Sequence, residues 1–222
     1  MTVTIRPASD ADLAAVLELN QTHLPAVGPL DAESLAHLHD LAVHHVVADD
    51  GGTVVGALIG LDGPGRDYGS HNYAWFSERF ERFLYVDRIM IAESHHGRGL
   101  GRRLYEGFLA TADGHRHLLA EVNVRPRNEG SLAFHDRMGF EALAERESPT
   151  GEVRVVMLAR AIDGAAGDPP STSTSTSSGE LGRLEGDVAT VERVLDRFHD
   201  LEPEERSRIL DGIDGAVADD QA

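Results

Sequence analysis

The order of apolar and polar residues predicts an α/β domain in the first part of the chain. Alternating residues 2–6 indicate a strand, and apolar residues at helical spacing indicate helices at 13–19 and 30–43. Two further strand-like runs, 45–48 and 53–61, flank an Asp-Asp-Gly-Gly sequence that is typical of a hairpin turn. The domain is therefore predicted to begin with a strand, two helices and a hairpin.

The pattern continues with a long connection and a second group of elements. Residues 62–77 are predicted to form a loop, and loops of that length in a compact domain are often functional. An apolar run at 83–91 predicts a strand, and apolar positions at helical spacing predict a helix over 100–112. With the segments that follow, the predicted order to residue 160 is β-α-α-β-β-β-α-β-α-β-β.

The turn between that strand and that helix has a composition suited to binding an anion. Its glycines, at 97, 99 and 101, allow close approach of a ligand and can turn the backbone N–H groups the same way. The positive end of the following helix lies behind these groups, and arginines at 98, 102 and 103 add full charges. The turn is therefore expected to hold a phosphate or a pyrophosphate.

The spacing of the glycines separates this turn from other phosphate-binding turns. The chain has no G-x-x-x-x-G-K-[ST], and its G-x-G-x-G does not match the dinucleotide-binding G-x-G-x-x-G. The sequence from His96 to Gly101 resembles the acetyl-CoA loop of the GNAT (general N-acetyltransferase) superfamily, [QR]-x-x-G-x-[GA] after the fourth strand, with His96 in place of Gln or Arg. The alternative is a plain glycine-rich connection between a strand and a helix.

A second block resembles the same superfamily independently. The family pattern is a fifth strand followed by N-x-x-[AS]-x-x-[FL]-Y-x-[KR]-x-G-F, and this chain has His135 where the family usually has Tyr. The resemblance covers roughly residues 3–160 and implies a mixed, mostly antiparallel sheet flanked by helices. The residues that fit in order are Asn128, Ser131, Phe134, Arg137, Gly139 and Phe140.

The resemblance implies an N-acetyltransferase that moves an acetyl group from acetyl-CoA to a primary amine by direct attack in a ternary complex. The fourth and fifth strands would splay apart, so that the backbone of the fourth strand pairs with the pantetheine arm like a missing strand. The turn would hold the pyrophosphate, and Asn128 would bind the arm. The implied cofactor-binding residues are Ile89, Met90, Ile91, His96, Gly97, Arg98, Gly99, Leu100, Gly101, Arg102 and Asn128.

Two acidic residues are candidates for the general base. Asp87 is expected to share a strand face with Ile89, and Glu121 is expected to share one with Asn123. A carboxylate partly removed from water has a raised pKa and can accept a proton from an ammonium group. The alternative for each acid is an ion pair with a nearby arginine.

The candidate proton donor to the departing thiolate is His135, since an imidazole can replace the family's Tyr in that role. The alternative is a helix histidine that only packs. The aromatic segment 68–76 is a candidate wall of the acceptor site, with an ordinary hydrophobic lid as its alternative. The acceptor-site candidates are Asn20, His23, Tyr73, Trp75, Phe76 and Asn123.

Composition narrows the class of protein. The 222 residues include no Cys, which excludes disulfides, a cysteine nucleophile and cysteine metal sites. The net charge of −18 argues against a nucleic-acid partner. The acidic surface mildly favours cationic acceptors by steering. The histidine pairs lack a metal-ligand frame, so no metal is expected. No signal-type segment or long apolar run is present, and the cytoplasm is the expected location.

The last quarter of the chain has a different composition. Residues 1–162 are expected to form the GNAT-like domain, and residues 163–179 read as a Pro/Ser/Thr-rich linker. Residues 180–222 carry an apolar heptad pattern among acidic residues, which predicts a helical hairpin or short coiled coil and a possible homodimer. The rival function is a non-catalytic acyl-CoA-binding module that regulates a partner through this tail.

Overall fold

The computed structural model describes residues 3–162, which form a seven-stranded sheet with five helices. The strands are β1 (Thr4–Pro7), β2 (His44–Asp50), β3 (Thr53–Gly63), β4 (Phe83–Ile91), β5 (His117–Arg125), β6 (Glu141–Glu147) and β7 (Arg154–Ala161). The helices are α1 (Leu13–Thr22), α2 (Ala32–Leu41), α3 (His71–Ser77), α4 (Leu100–Leu109) and α5 (Glu129–Arg137).

The strand order in the sheet is β1-β2-β3-β4-β5-β7-β6. Neighbouring strands are antiparallel except for β4 and β5, which pair in parallel. This mixed, mostly antiparallel sheet with helices confirms the predicted fold class. Among the described residues, no helix is long and apolar enough to span a membrane.

Each face of the sheet carries its own apolar layer. Leu35 of α2 and Phe76 of α3 pack on one face, together with α1. Leu104 and Phe108 of α4 pack on the other face, which α5 also covers. The apolar residues of α4 recur at helical spacing, so one stripe of that helix is buried and the glycine turn is held at the edge of the sheet.

The segment predicted as a loop over residues 62–77 is in part a helix. β3 extends to Gly63, and α3 occupies the last seven residues of the segment. The hydroxyl of Ser70 caps α3 by accepting a hydrogen bond from the N–H of Tyr73. A helix of two turns is too short to show a clear period, and for this reason the pattern did not reveal it. The predicted linker at 163–179 and the predicted helical hairpin at 180–222 lie outside the described residues.

Candidate active site

The two central strands separate part-way along their length. β4 and β5 pair from Phe83 opposite His117 to Tyr85 opposite Leu119. Beyond this point β4 stays paired with β3 as far as Ile91, while β5 stays paired with β7. The backbone of β4 on the β5 side is therefore open over the segment where the pantetheine arm was expected.

A β-bulge lies at the point of separation. Arg88 pairs with Ile59 and Val86 pairs with Gly60, which leaves Asp87 as an extra residue in β4. The bulge places Asp87 and Arg88 on the same face of the sheet, where they form an ion pair. Asp87 and Ile89 were expected to share a face. That expectation is wrong, because Ile89 packs in the opposite apolar layer.

Glu121 lies on β5 beside the separation and is held by two donors. The hydroxyl of Tyr85 lies 2.9 Å from Glu121 Oε1, and the side-chain nitrogen of Asn72 lies 3.1 Å from the same oxygen. The second carboxylate oxygen, Oε2, is inaccessible and has no hydrogen-bond partner among the described residues. Oε1 is thus held by two donors, whereas Oε2 has no donor bound to it and retains its lone pairs for a proton.

The surroundings of Glu121 favour its protonated form. Burial is the main cause, and the negative charge of Asp87 acts in the same direction, so that the pKa of Glu121 is raised to about 7. The hydrogen bonds from Asn72 and Tyr85, with the charge of Arg88, act in the opposite direction. A carboxylic acid with a pKa near neutrality is suited to exchange protons at physiological pH.

Asp87 is engaged by two neighbours. Tyr68 donates its hydroxyl to Asp87 Oδ1, and Arg88 Nε lies 2.6 Å from Asp87 Oδ2. Arg88 also donates to the side-chain oxygen of Asn20, which is fully buried. Of the two acids expected as bases, the structure therefore places Asp87 in an ion pair and leaves Glu121 with an unpartnered oxygen.

The glycine turn has the geometry expected of an anion site. Gly97 and Gly99 both have φ of 73°, and Gly99 precedes the first residue of α4 in the left-handed conformation. A Cβ atom placed on either glycine would meet nothing within 4 Å. α4 begins without a side-chain cap, so N–H groups of its first turn have no intrahelical partner.

The sequence profile of the Acetyltransferase (GNAT) family matches residues 13–140, more than half of the 222 residues. The chain belongs to the GNAT acetyltransferase family. Comparison with curated protein sequences gave no significant match.

Solved GNAT structures share the fold at low sequence identity. The ribosomal-protein-S18-alanine N-acetyltransferase of Escherichia coli is 18% identical, with a TM-score of 0.56 over 74% of this chain and 97% of that chain. The yncA protein of Salmonella typhimurium, solved with its cofactor acetyl-CoA, is 20% identical, with a TM-score of 0.56 over 77% and 100% of the chains. Naa20 of Chaetomium thermophilum, in complex with a bisubstrate analogue, is 18% identical, with a TM-score of 0.58 over 72% and 87%.

His96, the residue that departs from the GNAT loop pattern, contacts the open edge of β4. Its Nε2 lies 2.7 Å from the carbonyl oxygen of Ile91, and Nε2 of His23 lies 2.9 Å from the same oxygen. His23 also contacts the carbonyl oxygen of Leu19 through Nδ1. Both ring nitrogens of His23 therefore face backbone carbonyl oxygens, and this contact connects the loop after α1 to the end of β4.

His135 is buried between helices of the GNAT domain and not exposed in the cleft. It is 3% exposed, its Nδ1 lies 2.8 Å from the carbonyl oxygen of Ser131, and its Nε2 lies 2.7 Å from the hydroxyl of Tyr105. Burial holds the pKa of His135 below its usual value. Both ring nitrogens thus have partners inside the protein, and the expected role of His135 in thiolate departure stays a prediction.

Several acceptor-site candidates have structural positions instead. Tyr73 and Phe76 are buried in the core and were wrongly expected to wall an open site, since α3 turns them toward the sheet. Asn20 is likewise buried and supports Arg88. Asn123 donates to the carbonyl oxygen of Pro25 in the loop between α1 and α2. Trp75 is half-buried and packs against two arginines, Arg79 and Arg146.

Asn128 is the N-cap of α5. Its side-chain oxygen accepts a hydrogen bond from the N–H of Ser131 at 3.1 Å. This contact uses the oxygen of the amide and not its NH₂ group, which stays compatible with the expected contact to the pantetheine arm. No group of three metal-binding side chains occurs within residues 3–162.

Four residues that contact the two acids were not among the individually expected site residues, although two of them lie in the segment 68–76 that was expected to wall the acceptor site. Tyr68, Asn72, Tyr85 and Arg88 contact Glu121 or Asp87. Tyr85 lies two residues before Asp87 on the same strand. The alternation of strand faces is therefore the one sequence signal that could have predicted Tyr85 near the acids. The other three depend on the bulge or on a contact between residues distant in sequence, which no local pattern contains.

Proposed function

We propose that this protein transfers an acetyl group from acetyl-CoA to a primary amine, with Glu121 as the general base. The observation that supports this most strongly is the carboxylate of Glu121. It lies where β4 and β5 separate, its pKa is raised to about 7, and one of its oxygens is unpartnered. Bound acetyl-CoA supplies an activated thioester, and the chain must supply the means of positioning and deprotonating the amine.

The residues at the turn fit the proposed cofactor. The uncapped start of α4 offers N–H groups, the left-handed glycines leave open space in front of the backbone, and Arg98 and Arg102 add positive charge. The open edge of β4 offers backbone groups of the segment 89–91 to an amide-rich arm, except for the carbonyl oxygen of Ile91, which two histidines already contact. A backbone N–H near the bulge would stabilise developing charge on a carbonyl oxygen.

Glu121 would take the proton that the amine loses as its nitrogen bonds to the carbonyl carbon of the thioester. The C–S bond breaks in the same transfer, and CoA leaves as a thiolate that takes up a proton from water. Above a pH of about 7 its carboxylate is ionised, and Oε2 is the oxygen proposed to accept the proton of the amine. Since Oε2 is inaccessible in the ligand-free chain, this proposal requires that substrate binding opens a path to it, directly or through one water molecule. Tyr85 and Asn72 hold Oε1 and thereby fix the direction of Oε2. Asp87 and Arg88 are proposed to set the electrostatic environment of this base without taking the proton themselves.

A second candidate is an acyl-CoA-binding module without turnover. The observation that favours it is the burial of His135. Its imidazole contacts Tyr105 inside the protein and is not available in this arrangement to protonate a departing thiolate. Under this proposal acetyl-CoA binds, and release of CoA does not depend on an amine.

Amine-dependent release of free CoA thiol distinguishes these proposals. The full chain is incubated with acetyl-CoA and a panel of primary amines, and initial rates are measured while both substrates are varied. Intersecting reciprocal plots are expected for a ternary complex. Glu121→Gln should bind acetyl-CoA with unchanged affinity in calorimetry and lose about 10²–10⁴-fold in kcat. Tight binding with no amine-dependent release by the wild-type chain would favour the regulatory module.

A further inference from the structure

A cleft of about 380 Å³ lies beside the start of α3, and none of its lining residues belongs to the glycine turn. Asn72 lines this cleft and also donates to Glu121 Oε1, so it borders both the cleft and the base. The remaining lining comes from the start of α3 and from the end of β6 with the turn after it: His71, Arg146, Glu147, Ser148 and Pro149.

Arg146 is the cationic side chain of the cleft, and its charge is not compensated. Its Nη1 is inaccessible and has no hydrogen-bond partner, and the guanidinium has no ion-pair partner among residues 3–162. The neighbouring Glu147, by contrast, already binds Arg125 and Arg154. A half-buried cation without a partner is unfavourable, and an arriving anion would remove that cost.

Two side chains of α3 contact Arg146 and Glu121, respectively. The guanidinium carbon of Arg146 lies 5.7 Å from the centre of the Trp75 ring. Trp75 is three residues after Asn72 on α3, and side chains at this spacing are neighbours on a helix, with Cβ atoms about 5–6 Å apart. On α3, Asn72 therefore contacts Glu121, and its neighbour Trp75 contacts the unpaired guanidinium of Arg146.

We infer that the acceptor is an amine that also carries a carboxylate, as a free amino acid does. Its nitrogen would face Glu121, and its carboxylate would pair with Arg146, whose planar guanidinium matches a carboxylate with two parallel hydrogen bonds. This inference rests on the proposed acetyl transfer and names its substrate class. It also explains why a cation remains unpaired in a chain with a net charge of −18.

The test compares matched amines that differ only in the carboxylate. Glycine, β-alanine, 4-aminobutyrate and 5-aminovalerate are each paired with the alkylamine of the same chain length, in the thiol-release assay with the wild-type chain. One length should give a kcat/KM at least tenfold above that of its alkylamine, mainly through a lower KM. Arg146→Gln should remove this preference by raising the KM of the amino acid about 10- to 100-fold, and Arg146→Lys should restore part of it.

Arg79→Gln is the matched control, because Arg79 also packs on Trp75, at 4.3 Å, but does not line the cleft. It should leave the preference intact. Equal rates for amino acids and alkylamines in the wild-type chain would overturn the inference while leaving acetyl transfer in place. An equal effect of Arg146→Gln on both members of each pair would do the same.

A binding measurement separates failure of the inference from failure of the proposed function. N-acetylated amino acids and the corresponding N-acetylalkylamines are titrated into the CoA-saturated chain by calorimetry. If no amine is turned over but the N-acetylated amino acids bind in an Arg146-dependent manner, the assignment of Arg146 as a carboxylate-binding residue holds and the proposed turnover fails. Absence of both turnover and Arg146-dependent binding would overturn both.

Discussion

The ion pair between Asp87 and Arg88 joins two consecutive residues of one strand. Arg88 Nε lies 2.6 Å from Asp87 Oδ2, and the two side chains are 7% and 4% exposed. Consecutive residues of a regular strand point to opposite faces, so this contact requires the bulge at Asp87. The bulge thus fixes a buried negative charge near Glu121, together with the positive charge that compensates it.

Asp87→Asn should move the acidic limb of the pH–rate profile to lower pH. The charge of Asp87 raises the pKa of Glu121, and its removal leaves Arg88 to favour the ionised form of Glu121. The variant should also lose about 3–5 kcal/mol of stability, because a buried cation loses its partner. Rates of thiol release from pH 5 to 9 test the shift.

The control for this prediction is Asp62→Asn, which removes an ion-paired carboxylate at the end of β3. It should leave the acidic limb unchanged. If Asp87→Asn abolished the acidic limb instead of shifting it, Asp87 would be the base and Glu121 would only modulate it.

Most of the individual strands and helices, and the glycine turn, could be predicted from the sequence because they depend on local patterns, whereas the arrangement of the sheet was implied by the resemblance to the GNAT superfamily. The apolar period of α4 and the spacing of Gly97 and Gly99 are visible without any knowledge of tertiary contacts. The surroundings of Glu121 could not be predicted in this way. Asn72 lies 49 positions from Glu121, and the bulge at Asp87 reverses the face that simple alternation assigns to Ile89.

His135 illustrates the same limit. A family position usually filled by Tyr suggested a proton donor, but a shorter imidazole at this position reaches the hydroxyl of Tyr105. The identity of the residue could be read from the sequence, whereas its partner belongs to another helix. Trp75 was also expected at the acceptor site. It is half-buried and contacts Arg146, which lines the cleft, and this contact could not be read from the sequence either.

Glu121→Gln should stabilise the protein at high pH. The pKa of Glu121 in the folded state, about 7, lies above the ordinary value of 4.5, so folding binds the proton more tightly. This contribution to stability is fully present below pH 4.5 and is lost as pH rises through about 7. Gln does not titrate, and it can still accept the hydrogen bond from Tyr85.

Urea unfolding at pH 5 and at pH 8 measures this effect. The free energy of unfolding of Glu121→Gln should exceed that of the wild-type chain at pH 8 by roughly 1–3 kcal/mol, and the difference should be smaller at pH 5. Glu129→Gln, at an exposed carboxylate, serves as the control and should show no such dependence. A difference independent of pH would mean that Glu121 is not buried in its charged form.

Gly99→Val should weaken acetyl-CoA binding by an order of magnitude or more. Gly99 has a left-handed conformation that β-branched residues rarely adopt, and the added side chain would occupy the open space in front of the turn. Calorimetry with acetyl-CoA measures the affinity. Gly52→Val imposes comparable backbone strain, at φ of 95° in the hairpin between β2 and β3, and should leave the affinity unchanged. Unchanged affinity in a folded Gly99→Val protein would place the cofactor elsewhere.

His135→Phe should reduce stability more than it reduces turnover. It leaves the buried hydroxyl of Tyr105 without its partner, which costs about 1–3 kcal/mol, while kcat should fall by less than tenfold. Tyr105→Phe combined with His135→Phe should be less destabilised than the sum of the single variants, because the unpaired hydroxyl is gone. Urea unfolding measures the free energy of unfolding of the wild-type chain, the two single variants and the double variant, and the thiol-release assay measures kcat. A loss of 10² or more in kcat without a loss of stability would return His135 to the chemistry.

A truncated chain that ends at Asp163 should keep acetyl-CoA turnover. All seven strands and five helices of the described domain end by residue 161, and the residues proposed for the site lie among them.

Residues 180–222, which lie outside the described residues, contain 13 Asp and Glu against 5 Arg around an apolar heptad pattern. Pairing of two such segments would bury the apolar positions but bring like charges together, and salt would screen that repulsion. We therefore expect the full chain to self-associate more strongly at high salt and the truncated chain to stay monomeric at low and high salt. Sedimentation of both chains, with thiol release measured in parallel, tests the two halves of this prediction. A truncated chain that dimerises would place the interface on the catalytic domain, and one that loses activity would connect the tail to the site.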